Sequence, residues 1–290
     1  MRAMKCLTVL LLTSLLATLA HAQCAQQSLR IAIIPNTNKP LEVLQREYQP
    51  LLTLLRTTLD MPVELVPAST SYESVVDAIV SGGVDIAWLG PASYIMAHRR
   101  DPRIEPFASL TISPGFFTPA GHHYQSLLLT RRATITDIEA LRGKQVALSD
   151  PASTSGSVVP NVEFAAAVGQ PLTRYFSSVV YAGSHDKALD ALLDGRVQAA
   201  FVASVEVDAY LRHGRISRDT FDIQWRSAPI YYSPYVFSGS LCPALKERVR
   251  FVMLSSQQEL APFLETQDAT GLVSASHSEY EPLQRLLQQQ

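Results

Sequence analysis

The chain has 290 residues, and its 24 basic against 26 acidic side chains give a formal net charge of −2 with no basic block. So weak a field excludes nucleic acid or an anionic membrane surface as the partner. A hydrophobic fraction of 47% over this length suits one large or two modest globular domains.

Arg2 and Lys5 precede an apolar run over residues 6–20, which ends at Ala20-His21-Ala22. A basic flank, a short apolar run and an A-x-A site form the pattern of a secretory signal peptide, cut after Ala22. Loss of Arg2 and Lys5 leaves 22 basic residues (24 less 2) against 26 acidic ones, a net charge of −4. No later stretch is apolar enough to cross a bilayer, so the mature chain is expected to be soluble and exported to the periplasm. Cys6 leaves with the leader. Cys24 and Cys242 remain, an even pair in an oxidising compartment, which makes a disulfide the default expectation. Two free thiols, or a lipid anchor on Cys24, are the alternatives, although Gln23 is bulkier than the residue a lipoprotein signal wants there.

Residues 29–34 read as a strand followed by the loop Pro35-Asn36-Thr37-Asn38. Leu41, Leu44, Tyr48, Leu51, Leu52, Leu55 and Leu59 recur at helical spacing, with Pro50 expected to kink or restart the helix. After a strand at 63–66, Thr70 and Glu73 fit a capping box. The helix they open ends at Ser81-Gly82-Gly83, before a strand at 84–89. Gly90-Pro91 opens another helix, with Pro91 at the favoured first position. Strands are expected at 106–112 and 124–130, and a short capped helix at 136–139. Alternating strands and helices with short turns imply an α/β fold with a largely parallel sheet.

The α/β pattern then repeats. Residues 71–84 align without a gap on residues 184–197, with Ser, Asp, Ala, Gly and Val coinciding, and Trp88 falls opposite Phe201. Two lobes of like build follow, residues 23–123 with 227–290 forming one and residues 124–226 the other.

Between the repeats lies Asp150-Pro151-Ala152-Ser153-Thr154-Ser155-Gly156-Ser157, after an apolar strand at 145–148 and before a helix expected over 158–168 and closed by Gly169. Orphan N–H groups and the dipole of a helix start favour an anion there, hydroxyls add donors, and Gly156 lets an oxyanion approach the main chain. The plainer alternative makes Ser153 or Ser155 an N-cap only. Ligands of α/β sheets sit beyond the carboxyl ends of strands, where helices begin. Tyr72 and His185 occupy equivalent helix starts, and Tyr94 and Ser153–Ser155 also lie at helix starts. Four helix N-termini can therefore converge on one small anion without an arginine. Glu206 lies just past a further strand end, residues 221–226 read as a strand returning toward the first lobe, and Ser227 to Tyr235 as an aromatic loop. Helices are expected at 244–254 and 279–287.

Trp88-Leu89-Gly90-Pro91-Ala92-Ser93-Tyr94, Asp150 to Gly156 and Gly183-Ser184-His185-Asp186 together resemble the signatures of the phosphonate/phosphite/phosphate-binding periplasmic proteins of ABC importers. The resemblance runs from about residue 29 to 243. It implies a type II periplasmic-binding fold, two lobes joined by two crossovers and closing on a small oxyanion for delivery to an inner-membrane permease. It places the oxyanion on Tyr72, Tyr94, Ser153, Thr154, Ser155 and His185. It matches Glu206 to one of two carboxylates that hold an ammonium in aminoalkylphosphonate binders, while the second falls near Ser233, where this chain has no acid. A monomer without cofactor, metal or catalytic residues is implied. A ligand-sensing subunit that presents its ligand to a receptor kinase shares the fold. An exported hydrolase built on a serine, His185 and an aspartate lacks a G-x-S-x-G elbow. The pair His122-His123 has no matching carboxylate cluster for a metal.

Overall fold

The computed structural model describes residue 24 and residues 26–67, 71–119 and 121–288. The expected leader and the Thr70 cap lie outside the described residues. Strands β1 (Leu29–Ile33), β2 (Val63–Leu65), β3 (Ile86–Trp88) and β4 (Glu105–Ile112) come first, then the short β5 (His123–Tyr124). Next are β6 (Ser126–Arg131), β7 (Gln145–Leu148), β8 (Ser178–Tyr181), β9 (Ala199–Ala203) and β10 (Phe221–Arg226). The chain closes through β11 (Ile230–Tyr231), β12 (Pro234–Phe237) and β13 (Ala269–Ser274).

Two sheets result, in the orders β2-β1-β3-β12-β4-β13 and β8-β7-β9-β6-β10, with β5 and β11 paired as a ribbon. In the first, β1 is parallel to β2 and β3, whereas β12 runs antiparallel to both β3 and β4, and β13 antiparallel to β4. In the second, β7 is parallel to β8 and β9, and β6 is antiparallel to β9 and β10. The sheets are thus mixed rather than largely parallel, because each takes in one strand delivered from the other side, β12 and β6, that enters reversed, and the first sheet adds the reversed edge strand β13. The β5–β11 ribbon is formed by the two crossing segments lying side by side. β10 is an edge strand of the second sheet, so the return begins after it.

Alternation along β6 and β7 shows why the second sheet is covered on both faces. Leu127, Leu129 and Ala147 enter one apolar cluster, while Leu128, Val146 and Leu148 enter another on the opposite face. In the first lobe the helix Leu41–Leu59 runs unbroken through Pro50. Proline there removes one N–H bond, but Tyr48, Leu51, Leu52, Leu55 and Leu59 are all buried around it, and that burial holds the helix together. The capping residue of the next helix, Tyr72–Val80, is Ser71, whose side chain accepts from Ser74 N–H.

The internal repeat extends to backbone detail. The helices Tyr72–Val80 and His185–Leu193 both start from an extended serine, Ser71 or Ser184, and both are followed by a glycine at φ 73°, Gly82 or Gly195. β12, β13 and the helix Ala261–Thr266 are elements that periodicity did not indicate. Cys24 is bonded to Cys242, the residue preceding the helix Pro243–Ser255, with Cα atoms 5.5 Å apart across a sequence separation of 218. Thiol titration of the oxidised protein should find no free cysteine among these two. Denaturant unfolding under reducing conditions should show stability lowered by about 2–5 kcal/mol.

Candidate functional site

The turn after β7 winds more widely than an α-helix. Thr154–Val158 and Pro160–Phe164 form π-type turns that pass into the α-helix Ala165–Val168, closed by Gly169 at φ 71°. The helical run therefore begins at Thr154, earlier than the apolar pattern suggested. Asp150 shapes the approach by accepting from Ala152 N–H at 2.8 Å. Ser153 is an N-cap, accepting from Gly156 N–H at 3.2 Å, and it also faces the cleft. Gly156 has no room for a side chain, since a Cβ would sit 1.7 Å from Ser149 Oγ and 2.9 Å from His185 Cε1. That close packing brings the turn against the histidine.

Between the lobes is a small cavity of about 30 Å³, lined by Tyr72, Tyr124, Ser153, Thr154, Ser155 and His185, with Asn36, Trp88, Glu206, Tyr232 and Ser233 completing its wall. Six of the seven residues expected to hold ligand meet there. The seventh, Tyr94, does not. Its N–H already bonds Gly90 O at 2.8 Å, and the helix turn carries its side chain away from the cleft. The hydroxyl lies 2.6 Å from His277 Nδ1, and the ring meets Tyr280 edge-on at 5.2 Å. Tyr124 supplies the second phenol instead.

The helix start at Pro91 acts through an intermediary rather than facing the cavity. Ala92 N–H donates to Thr154 Oγ1 at 2.9 Å, across the cleft, so the Thr154 hydroxyl proton remains free to donate. His185 Nδ1 accepts from Ala203 N–H at 3.2 Å, which assigns the ring proton to Nε2, 3.3 Å from Ser153 Oγ. Burial pushes the His185 pKa down to about 4, so the ring is neutral near pH 7 and still a donor. Burial also lifts Tyr72 well above its ordinary range and Tyr124 to about 12, keeping both phenols protonated. Among the described residues no arginine or lysine lines this cavity. It presents hydroxyl, phenol and imidazole donors, all uncharged, around one small space.

Glu206, in the first turn of the helix Ser204–Arg212, closes one side and accepts from Asn36 Nδ2 at 2.8 Å. Burial raises its carboxyl to about 7, only partly offset by the Asn36 bond. Asn36, Trp88, Tyr124 and Tyr232 had not been singled out. Asn36 was open to the same strand-end rule that found Tyr72 and His185, because it follows β1 directly. Among the described residues no group of three or more histidine, cysteine, aspartate or glutamate side chains is placed to hold a metal, the His122-His123 pair included.

The family model for ABC transporter, phosphonate, periplasmic substrate-binding proteins matches residues 31–280 of this chain. The phosphate-import protein PhnD of Mycolicibacterium smegmatis is 27% identical over 235 residues, covering 77% of this chain and 70% of that protein. A crystal structure of a binding-protein component of an ABC phosphonate transporter from Pseudomonas aeruginosa superposes with a TM-score of 0.78 at 19% identity, over 90% of this chain and 85% of that one. PhnD1 of Prochlorococcus marinus in complex with methylphosphonate gives 0.75 at 17% identity, over 91% and 98%. These neighbours share the type II periplasmic-binding fold.

The Thr154 hydroxyl offers a direct test of the cavity. Thr154→Val keeps the shape, removes one donor and leaves Ala92 N–H without its acceptor in the closed form. Titration with phosphate and methylphosphonate should show binding weaker by roughly 1–3 kcal/mol. Unchanged affinity for the tighter of the two would place the oxyanion elsewhere.

Proposed function

Since this chain belongs to the phosphonate family of ABC-transporter periplasmic substrate-binding proteins, we propose that its cleft holds the oxyanion of a phosphonate, phosphite or phosphate on Tyr72, Tyr124, Ser153, Thr154, Ser155 and His185. The observation that carries this reading is the set of uncharged donors converging on a cavity of about 30 Å³. Such a site fits binding without chemistry: the one histidine is depressed below its ordinary range and turns a protonated Nε2 toward Ser153, so that nitrogen is not free to take the serine proton. The chain then acts as a monomeric carrier rather than an enzyme. It is exported to the periplasm by cleavage after Ala22 and docks on an inner-membrane permease. Residues 23–123 with 227–290 move as one lobe and residues 124–226 as the other. Nothing in the relatives favours presentation to a receptor kinase.

Glu206 sets the rest of the ligand. A bare carboxylate beside a dianion is repelled, so its position fits a ligand whose ammonium lies between the two charges. Ser233 also lines the cavity but brings no second negative charge, so the cation has one ionic partner together with the Tyr232 ring and hydroxyls. Preference for an amino ligand over a plain alkylphosphonate should therefore be modest.

Glu206→Gln keeps an acceptor for Asn36 and removes the charge. It should weaken 2-aminoethylphosphonate about tenfold and leave ethylphosphonate unchanged or tighter; equal changes for both would show that Glu206 reads no positive charge. The carboxyl also has a pH signature. Its folded-state pKa is raised from 4.5 to about 7, so the ligand-free folded state favours the protonated form. The contribution is complete below about pH 4.5 and is lost as pH rises through 7. The melting temperature of the wild type relative to the glutamine variant should fall over that interval.

A further inference from the structure

The oxyanion cavity is not the whole of the space between the lobes. A second chamber of about 520 Å³ adjoins it and shares Asn36, Trp88, Val205, Glu206 and Tyr232 as a common wall. Its remaining walls come from both lobes, among them Leu44, Tyr48 and Leu110 from the first and Ala209 and Tyr210 from the second. At its rim the two lobes are joined by an ion pair, Arg212 Nη2 to Asp268 Oδ2 at 2.5 Å. The lobes are thus in contact beyond this space as well as at the oxyanion cavity, and leave between them a partly open volume in the range that accommodates drug-sized ligands.

Three observations say what chemistry the chamber suits. Its walls mix aliphatic and aromatic side chains, which favour an organic group of several carbons. The Trp88 ring lies on the shared wall, and its buried indole N–H has no acceptor among the described residues, so it remains as a donor for a polar atom of a ligand seated at that wall. The charge balance is negative: five carboxylates and three strongly basic side chains face the chamber. Those bases are already paired, Lys39 with Glu47, Arg212 with Asp268 and Arg215 with Asp190. Glu206, by contrast, has an amide partner and no cation.

The geometry points to the chamber as a substituent subsite, so that this protein takes organophosphorus oxyanions whose organic group has four or more carbons and carries a cationic end. This rests on the oxyanion reading of the smaller cavity and extends it. Phosphonates and phosphate monoesters share the chemistry, and the two are separated below.

The test is calorimetric titration of the full mature protein with alkylphosphonates from methyl to hexyl, the matching ω-aminoalkylphosphonates, and phosphocholine as the ester. At roughly twofold or more per buried methylene, hexylphosphonate should bind at least about thirtyfold more tightly than methylphosphonate. The amino series should exceed the plain one at equal length. Tighter binding of phosphocholine than of phosphate extends the subsite to esters, and the reverse confines it to phosphonates. Ala209→Trp and Leu44→Trp fill the chamber from opposite lobes and are remote from the smaller cavity. Either variant that folds should lower hexylphosphonate affinity at least tenfold while methylphosphonate changes less than twofold. Methylphosphonate binding with no gain along the series overturns the subsite and leaves the oxyanion site standing. A gain that survives both filled chambers overturns its placement here. No binding by any member overturns the oxyanion reading and the subsite together.

Discussion

A small anion buried without a cation must be held by donors that are uncharged, fixed in place and already freed from other work. That requirement organises the cleft. Ala203 N–H occupies His185 Nδ1 and thereby directs the remaining ring proton toward Ser153. Ala92 N–H occupies an acceptor position on Thr154 and leaves its hydroxyl proton to donate. Burial keeps both phenols protonated and the imidazole neutral across the physiological range. Each donor is therefore oriented by a backbone group or by its surroundings, and the attraction is short-ranged and directional. An arginine would add a longer-range attraction through a fixed, charged fork of donors, whereas here the selectivity rests on the placement of neutral donors alone.

The loops that face the cavity also hold the lobes together. His185 N–H donates to Asn36 O at 3.0 Å, Asn38 N–H to Asp186 Oδ2 at 2.8 Å, and Ser93 Oγ–H to Ala152 O at 3.0 Å. With the Asn36–Glu206 and Ala92–Thr154 bonds, these contacts cross the cleft from the loops beyond strand ends. Most are modest individually, since each replaces a bond to water. Thr154, His185 and Glu206 take part in these contacts and also line the small cavity. The β5–β11 ribbon lies outside this set of contacts and belongs to neither of the two large sheets, so relative motion of the lobes need not break either sheet.

The parts of this structure that were legible in the sequence are those fixed by local chemistry. Strand, hydroxyl turn and helix start pointed to Ser153–Ser155, and a gapless repeat to Tyr72 and His185 as counterparts; all five line the small cavity. Tyr94 misled because a helix-start motif specifies where the backbone begins, not which way the fourth residue faces. Its direction is set by Tyr280 and His277, far away in the chain. β12 and β13 were hidden for a similar reason. β12 is buried between β3 and β4, and the stretch that leads into it, rich in tyrosine, proline and serine, reads as a loop until those partners are known. Pro50 shows the opposite error: a strong local breaker was overruled by the burial of its neighbours.

The repeat also explains how two lobes of the same build come to form an asymmetric cleft. The helices Pro91–Arg100 and Ser204–Arg212 begin at equivalent positions, each after an equivalent strand. Their third residues are Ser93 and Glu206, and each reaches across the cleft to a loop of the other lobe, Ser93 to the one after β7 and Glu206 to the one after β1. Ser93 donates to Ala152 O, and Glu206 accepts from Asn36 Nδ2. The contacts are near mirror images in topology but opposite in chemistry, a neutral hydroxyl on one side and a carboxylate on the other. Helix-start donors from both lobes can therefore surround an oxyanion, while the difference between serine and glutamate gives the cleft a polarity. A ligand with a negative head and a positive or polar tail has one favourable orientation in such a site, with its tail toward Glu206. Glu206 also lines the larger chamber, so that orientation directs the tail into the space that can receive it.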